Sequence, residues 1–346
     1  MNHSVTVFRF LLSSVLCFSL ALLLVGCNRE SADSRYLKGI ASLKSKDYDA
    51  AIRQLLGAIQ LDPNFEDAYR KLIAAHKSAD KLQEATTFFE SVREKNPQHP
   101  SSYYALGLIS QAQQNHEHAV SHFRTSIERG TNLSDAYSQL CISFQYLKQL
   151  DLAKAFMTTR ADSFPNNALA HYGLGFVYHL QGKAKEAIEE QENALRLDNE
   201  LLASYQVKGR MHFGTSQIRE AAMTFQAGSE IAHKKNNAMY LGKFLGSWGA
   251  MYIGLSQFDS AIVLLREASE QSSLAAELID EGRWRGNLGT AFFYKGKRRE
   301  AYEQFMSAAA IAKEIGDRAV EAIWLGNAAG ALIMLAECTK AIAVLE

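Results

Sequence analysis

Proline is scarce here, four in 346 residues, so the commonest breaker of helices is nearly missing. An excess of charge is missing too, since 37 Lys and Arg stand against 37 Asp and Glu. Duplex binders carry a basic excess or stripe, so the balance argues against a nucleic-acid partner. Four scattered cysteines are too few for a disulfide framework. No Gly-rich phosphate loop, no His-Glu-x-x-His and no nucleophile-elbow serine occurs. The chain therefore reads as a non-enzyme that needs no cofactor. What is present is a globular composition, 47% hydrophobic and 21% charged. Ala and Leu are abundant, which favours helix throughout. The length suits two ordinary domains or one extended repeat array.

Phe10 to Val25 form an uncharged apolar run preceded by Arg9. A run this short, followed by small residues, reads as a signal-peptide core rather than a spanning helix. It closes on Leu24-Val25-Gly26-Cys27, which resembles the lipobox of bacterial lipoproteins. The resemblance implies a diacylglyceryl thioether on Cys27 and cleavage just before it. Residues 1–26 would then be the leader and 27–34 a short polar tether, reaching at most ~28 Å to Arg35. Losing one Arg and no acid leaves 36 basic against 37 acidic residues. Two or more acyl chains, at ~0.8 kcal/mol per methylene, hold essentially permanently. Asn28 is not the aspartate that retains such lipoproteins in the inner membrane. The resemblance therefore implies the periplasmic face of the outer membrane.

Beyond residue 35 the sequence is periodic. Ala51, Ala85, Ala119, Ala153, Ala187 and Ala221 lie 34 residues apart, and Ala261, Ala301 and Ala341 follow at steps of 40. Tyr69, Tyr103, Tyr137 and Tyr205 share one register position, with His171 interrupting. Leu72, Leu106, Leu140 and Leu174 follow three residues later, and Gly39, Gly107, Gly175, Gly209, Gly249 and Gly289 mark a small position. Phe89, Phe123, Phe225 and Phe305 fall four residues after the alanine, and Pro63, Pro97 and Pro165 close repeats. Each unit has two short amphipathic segments joined by turn residues such as Lys46-Asp47 and Gly182-Lys183. One such hairpin cannot bury its apolar face alone, so neighbours must stack. Gly and Ala are expected where the two backbones come closest.

This pattern resembles the tetratricopeptide-repeat (TPR) family. The resemblance implies an all-α fold, an α-α superhelix of stacked helical hairpins. Residues 35–235 would hold six repeats of the 34-residue type, and 236–346 two of a 40-residue type plus one cut short. Six extra residues add roughly 9 Å of helix shared between two arms. Ile342 and Leu345 would lie at an uncovered end, which is expected to meet a partner or a second copy, or else to mark a truncated sequence.

The family binds through a concave face lined by the first helix of each repeat. Aligning the repeats puts Tyr104, Tyr172, Gln206, Arg210, Lys243, Arg283, Asn287 and Asn327 on that face. Asn287 and Asn327 share one register, and in long TPR variants an asparagine ladder there hydrogen-bonds an extended peptide; Ser247 replaces it one repeat earlier. An amide suits that task because it offers donors and an acceptor. His116, His118 and His122 include two imidazoles one helical turn apart, a spacing that can share a cation; a solvated helix face is the plainer reading, and no metal site is assigned. Lys295, Lys297, Arg298 and Arg299 read as a charged inter-helix turn. The function expected is a lipid-anchored scaffold or assembly factor of the bacterial envelope, with a protein or peptide in the groove. The alternatives are the helical arm of a larger enzyme, such as a glycosyltransferase, and a long-TPR signalling regulator.

Overall fold

The computed structural model describes residues 30–346, so the leader, Cys27 and Asn28 lie outside the described residues. Every regular element among those described is a helix. They fall into two compact units divided between Ala79 and Asp80.

The first unit holds α1 (Ala32–Lys44), α2 (Tyr48–Leu61) and α3 (Glu66–Ser78). Ser31 caps α1 by accepting from the Ser34 N–H, and Asp47 caps α2 by accepting from the Ala50 N–H at 3.0 Å. Each such cap satisfies one of the amides that a helix start leaves without a partner. Ala51 and Leu55 on α2 are fully buried. A side chain on Gly39 would strike Leu55, which is how α1 and α2 lie so close.

The second unit continues the alternation with α4 (Leu82–Lys95), α5 (Pro100–Ala112), α6 (His116–Glu128), α7 (Ser134–Tyr146), α8 (Leu150–Ser163), α9 (Ala168–Leu180), α10 (Ala184–Leu197) and α11 (Leu202–Gly214). Longer helices follow: α12 (Ile218–Lys234), α13 (Ala238–Gly254), α14 (Phe258–Leu274), α15 (Leu278–Tyr294), α16 (Arg298–Ile315), α17 (Arg318–Met334) and the short α18 (Cys338–Leu345). First helices grow from 13 residues in α5, α7, α9 and α11 to 17 in α13, α15 and α17. Four residues add about 6 Å of helix. The lengthening begins in α12, which already has 17 residues.

One turn recurs at every hairpin. Lys46, Gln114, Lys148, Gly182, Ser216, Ser256, Gly296 and Ala336 all take φ between +59° and +84°. The residue after the left-handed one donates back to a carbonyl five residues earlier, as Asn115 does to Ser110 at 2.8 Å and Lys183 to Tyr178 at 2.9 Å. That pattern satisfies carbonyls the ending helix leaves open. Most of these positions are not glycine, although the left-handed region costs an L-residue roughly 1–2 kcal/mol. In the 40-residue part a second left-handed residue, Asn236, Ala276 or Gly316, turns one repeat into the next.

The repeat alanines from Ala51 to Ala341 are all buried. The close approach differs in detail from the expectation of Gly against Ala. A side chain on the glycine would meet the residue four after the alanine: Leu55 for Gly39, Phe123 for Gly107, Gln191 for Gly175, Phe225 for Gly209, Leu265 for Gly249 and Phe305 for Gly289. The alanine carbonyl stands just behind, at 3.2 Å for Gly289 and Ala301. The fourth repeat has Cys141 in the small position, and its hairpin α7–α8 touches along much less of its length than the glycine hairpins. Cys141 is buried, and burial pushes its thiol well above the usual range.

One core runs from Leu202 through Phe225, Phe244, Leu265 and Trp284 to Ala331 without a break at residues 234–237. Lys234 and Lys235 both pair with Glu200 at 3.0 Å, and Asn237 caps α13. That segment is a turn within one stack.

Candidate functional site

Three of the four register tyrosines tie their repeat to the turn before it. Tyr69 donates its hydroxyl to the Pro63 carbonyl at 3.3 Å, Tyr103 to Pro97 at 3.1 Å and Tyr205 to Asn199 at 3.0 Å. His171 interrupts the tyrosines in sequence but not in function. Its Nε2 stands 3.0 Å from the Pro165 carbonyl and its Nδ1 2.7 Å from Glu190. The position asks for a ring that carries a donor at its tip. These tyrosines are structural.

Five of the expected groove residues come together in one concavity of about 510 Å³. Gln206 and Arg210 come from α11, Lys243 from α13, and Arg283 and Asn287 from α15. Ser247, which replaces the asparagine in its repeat, lines the same space. The repeat spacing does this: first helices stacked side by side bring equivalent positions into one row. A second hollow of about 540 Å³ shares His179 and Arg210 with the first and adds Tyr146 and Phe176.

Three expected members lie elsewhere. Tyr104 is 0% exposed and donates its hydroxyl to Asp135 at 2.6 Å. Tyr172 is 3% exposed and sits in the core, its carbonyl accepting from Gln191 at 3.1 Å. Both face the interior because their rings fill space between helices, so neither presents a surface to a ligand. Asn327 is exposed on α17 but does not line the concavity, so the ladder reduces to Asn287 with Ser247 and Gln206 beside it.

Sequence alignment missed His179, Phe213, Asp280 and Trp284, which also line the concavity. Phe213 is 48% exposed, whereas Trp284 is 4% exposed with its body buried. The indole of Trp284 lies over Gly246, and that of Trp324 over Gly286, one 40-residue step further on. That Gly-to-Trp spacing of 38 residues was visible in the sequence and could have found Trp284. Asp280 pairs with Arg283 at 3.2 Å. Burial, and then the Arg210 guanidinium, hold His179 down to about 4, so its ring is neutral at neutral pH. Neither His179 Nδ1 nor Trp284 Nε1 has a hydrogen-bond partner among the described residues.

The remaining candidates are absorbed by the fold. His116 stacks on Tyr146 with centroids 4.4 Å apart, and His118 Nδ1 lies 3.0 Å from the Asn115 amide. Burial, then Arg93 and His118, lower the His122 pKa. Among the described residues no group of three His, Cys, Asp or Glu is placed to hold a metal ion. Lys295 pairs with Asp259, Arg299 with Glu337, and Arg298 lies over the Phe293 ring at 4.2 Å. At the C-terminal face Ile342 and Leu345 are 59% and 61% exposed. Among the described residues no helix is long and apolar enough to cross a membrane.

Tetratricopeptide-repeat family models match residues 42–109, 100–129 and 145–201. The chain belongs to the tetratricopeptide-repeat family. Past residue 201 the TPR features persist, since Ala261, Ala301 and Ala341 are buried and Ser256, Gly296 and Ala336 keep the left-handed turn. Among curated proteins, this TPR chain is 28% identical over 110 residues to anaphase-promoting complex subunit 3 of Schizosaccharomyces pombe, covering 32% of this chain and 16% of that one. It is 28% identical over 221 residues to the RNA polymerase-associated protein CTR9 of Caenorhabditis elegans, covering 61% and 19%. The chain thus spans less than a fifth of either relative. The crystal structure of the APC/C hetero-tetramer Cut9-Hcn1 superposes with a TM-score of 0.52 at 17% identity, covering 84% of this chain and 54% of that one. That likeness is one of fold.

Proposed function

We propose that this TPR chain is a non-catalytic scaffold that grips an extended peptide or a helix of a partner protein in the concavity of α9, α11, α13 and α15. The observation that carries the reading is the convergence of Gln206, Arg210, Lys243, Arg283 and Asn287 from three successive first helices. The amides of Gln206 and Asn287 can hold a peptide backbone from both its donors and its acceptors, while the buried aromatic floor supplies apolar contact. The scaffold is tethered by lipid on Cys27, by the lipobox resemblance of Leu24-Val25-Gly26-Cys27, at the periplasmic face of the bacterial outer membrane. There it serves assembly of an envelope machine.

Two experiments test the halves separately. Cys27→Ser should abolish palmitate labelling and move the protein from the membrane to the soluble fraction; unchanged labelling and fractionation would sink the anchor. A photo-crosslinking amino acid at Phe213 should capture a discrete partner in cells, and Gln206→Ala with Asn287→Ala should remove that band. A band indifferent to both substitutions would remove the concavity from the binding model.

A further inference from the structure

We infer that the segment held in this groove is acidic: an extended peptide whose carboxylate sits between Arg210 and Lys243, with an apolar or aromatic side chain beside it on Phe213. The inference deepens the scaffold reading and rests on it. Three permanent cations, Arg210, Lys243 and Arg283, line the concavity, and Asp280 is the one carboxylate among its lining residues. Asp280 is already matched, being paired with Arg283 at 3.2 Å. The groove is therefore left with two positive charges that no acid of its own lining answers. Low-dielectric walls focus such a field toward an incoming anion.

The neighbours of Arg210 support the same sign. His179 lines both hollows with it, its ring stays uncharged there, and its Nδ1 has no hydrogen-bond partner among the described residues. A neutral imidazole beside a guanidinium does not compete for the carboxylate, and it adds a hydrogen-bonding group to the site. Lys243 is half-buried, with its ammonium 5.5 Å from the Tyr240 ring. Phe213, almost half exposed, gives an apolar surface on the same helix as Arg210. A concavity near 510 Å³ has the size of a short-peptide or small-ligand site. A duplex would need a basic stripe outside it, and in the densest basic cluster of the sequence Lys295 and Arg299 are tied to Asp259 and Glu337.

The test is a selection of displayed random dodecapeptides on the full chain, followed by fluorescence anisotropy. The expected winners carry Asp or Glu next to an apolar residue. Their Asn or Gln analogues should bind at least about tenfold more weakly, as loss of a charge-assisted hydrogen bond implies. Arg210→Gln and Lys243→Gln should each weaken the acidic peptide by a similar factor with helical content intact, Lys243→Arg should retain it, and higher salt should weaken binding. Winners without acidic residues, or acidic winners indifferent to Arg210→Gln and Lys243→Gln, overturn the inference. If such winners still respond to Gln206→Ala and Asn287→Ala, the groove survives as a peptide site and only the acidic class falls. If no peptide is selected while a single-stranded oligonucleotide binds, both readings fall.

Discussion

Gly289→Ala and Gly326→Ala make the same substitution in two consecutive long first helices, and they should act in opposite directions. A β-carbon on Gly289 would stand 2.8 Å from two ring atoms of Phe305 and 3.2 Å from the Ala301 carbonyl oxygen. Ordinary carbon contacts lie at 3.5–4.0 Å, roughly 1 Å further out. Phe305 is buried and stacked on Trp324, ring centroids 6.0 Å apart, so it cannot step aside without displacing a second ring. The carbonyl is backbone and yields less. Overpacking of this kind costs about 1–3 kcal/mol, while replacing a helical glycine by alanine returns about 1 kcal/mol. The net expectation is a loss of up to about 2 kcal/mol. Gly326 has nothing within 4 Å of the same β-carbon, so only the gain of about 1 kcal/mol remains. A repeat array opens locally rather than all at once, so hydrogen exchange of the amides in α15–α16 and in α17 is the proper assay, with urea unfolding followed by circular dichroism beside it. Protection should fall by up to about 30-fold around Gly289 and rise around Gly326. Shifts of the same sign at both sites would refute the account of how these hairpins pack.

Other expectations follow from single observations. Ala276→Gly relieves a left-handed residue, φ 52°, and should gain about 0.5–1 kcal/mol net of backbone entropy, whereas Gly296→Ala at φ 84° should lose about 1 kcal/mol; thermal unfolding checks both. Tyr103→Phe removes the hydroxyl that donates to Pro97 and should cost about 0.5–1.5 kcal/mol, with His171→Phe costing at least as much and read by the same scan. His179 titrates near 4 in the folded chain against the usual 6.5. The unfolded chain therefore binds more protons between those values, and stability should fall as the pH drops from about 6.5 to about 4, then change no further on this account. His179→Gln should flatten that slope in unfolding measured across pH.

The fold was legible because repetition multiplies weak signals. A single Ala or Gly says little, but Ala51 to Ala341 in one register forces a stack of hairpins, and all nine are buried. The turns were legible in place but not in conformation, since Lys148, Ser256 and Ala336 carry no mark of a left-handed backbone. The groove was read in part. Register assigns Gln206, Arg210, Lys243, Arg283 and Asn287 to one row because they share a helix face. It also assigned Tyr104 and Tyr172, adjacent in sequence to the capping ring, and these rings turn inward to fill the core. His179, Phe213 and Trp284 escaped notice because a concavity is made by how helices lean, which periodicity does not encode. The division between Ala79 and Asp80 left no trace in the repeat spacing.

The central claim, that the concavity of α9, α11, α13 and α15 is the binding face, can be read from three signals. The chain contains three tryptophans, and Trp284 lines the groove while Trp324 does not. With fluorotryptophan incorporated, each indole gives its own fluorine resonance. Titration with a selected peptide should shift the Trp284 resonance and leave that of Trp324 in place. A Trp284 resonance unmoved at saturating peptide, with the peptide demonstrably bound, would contradict the account.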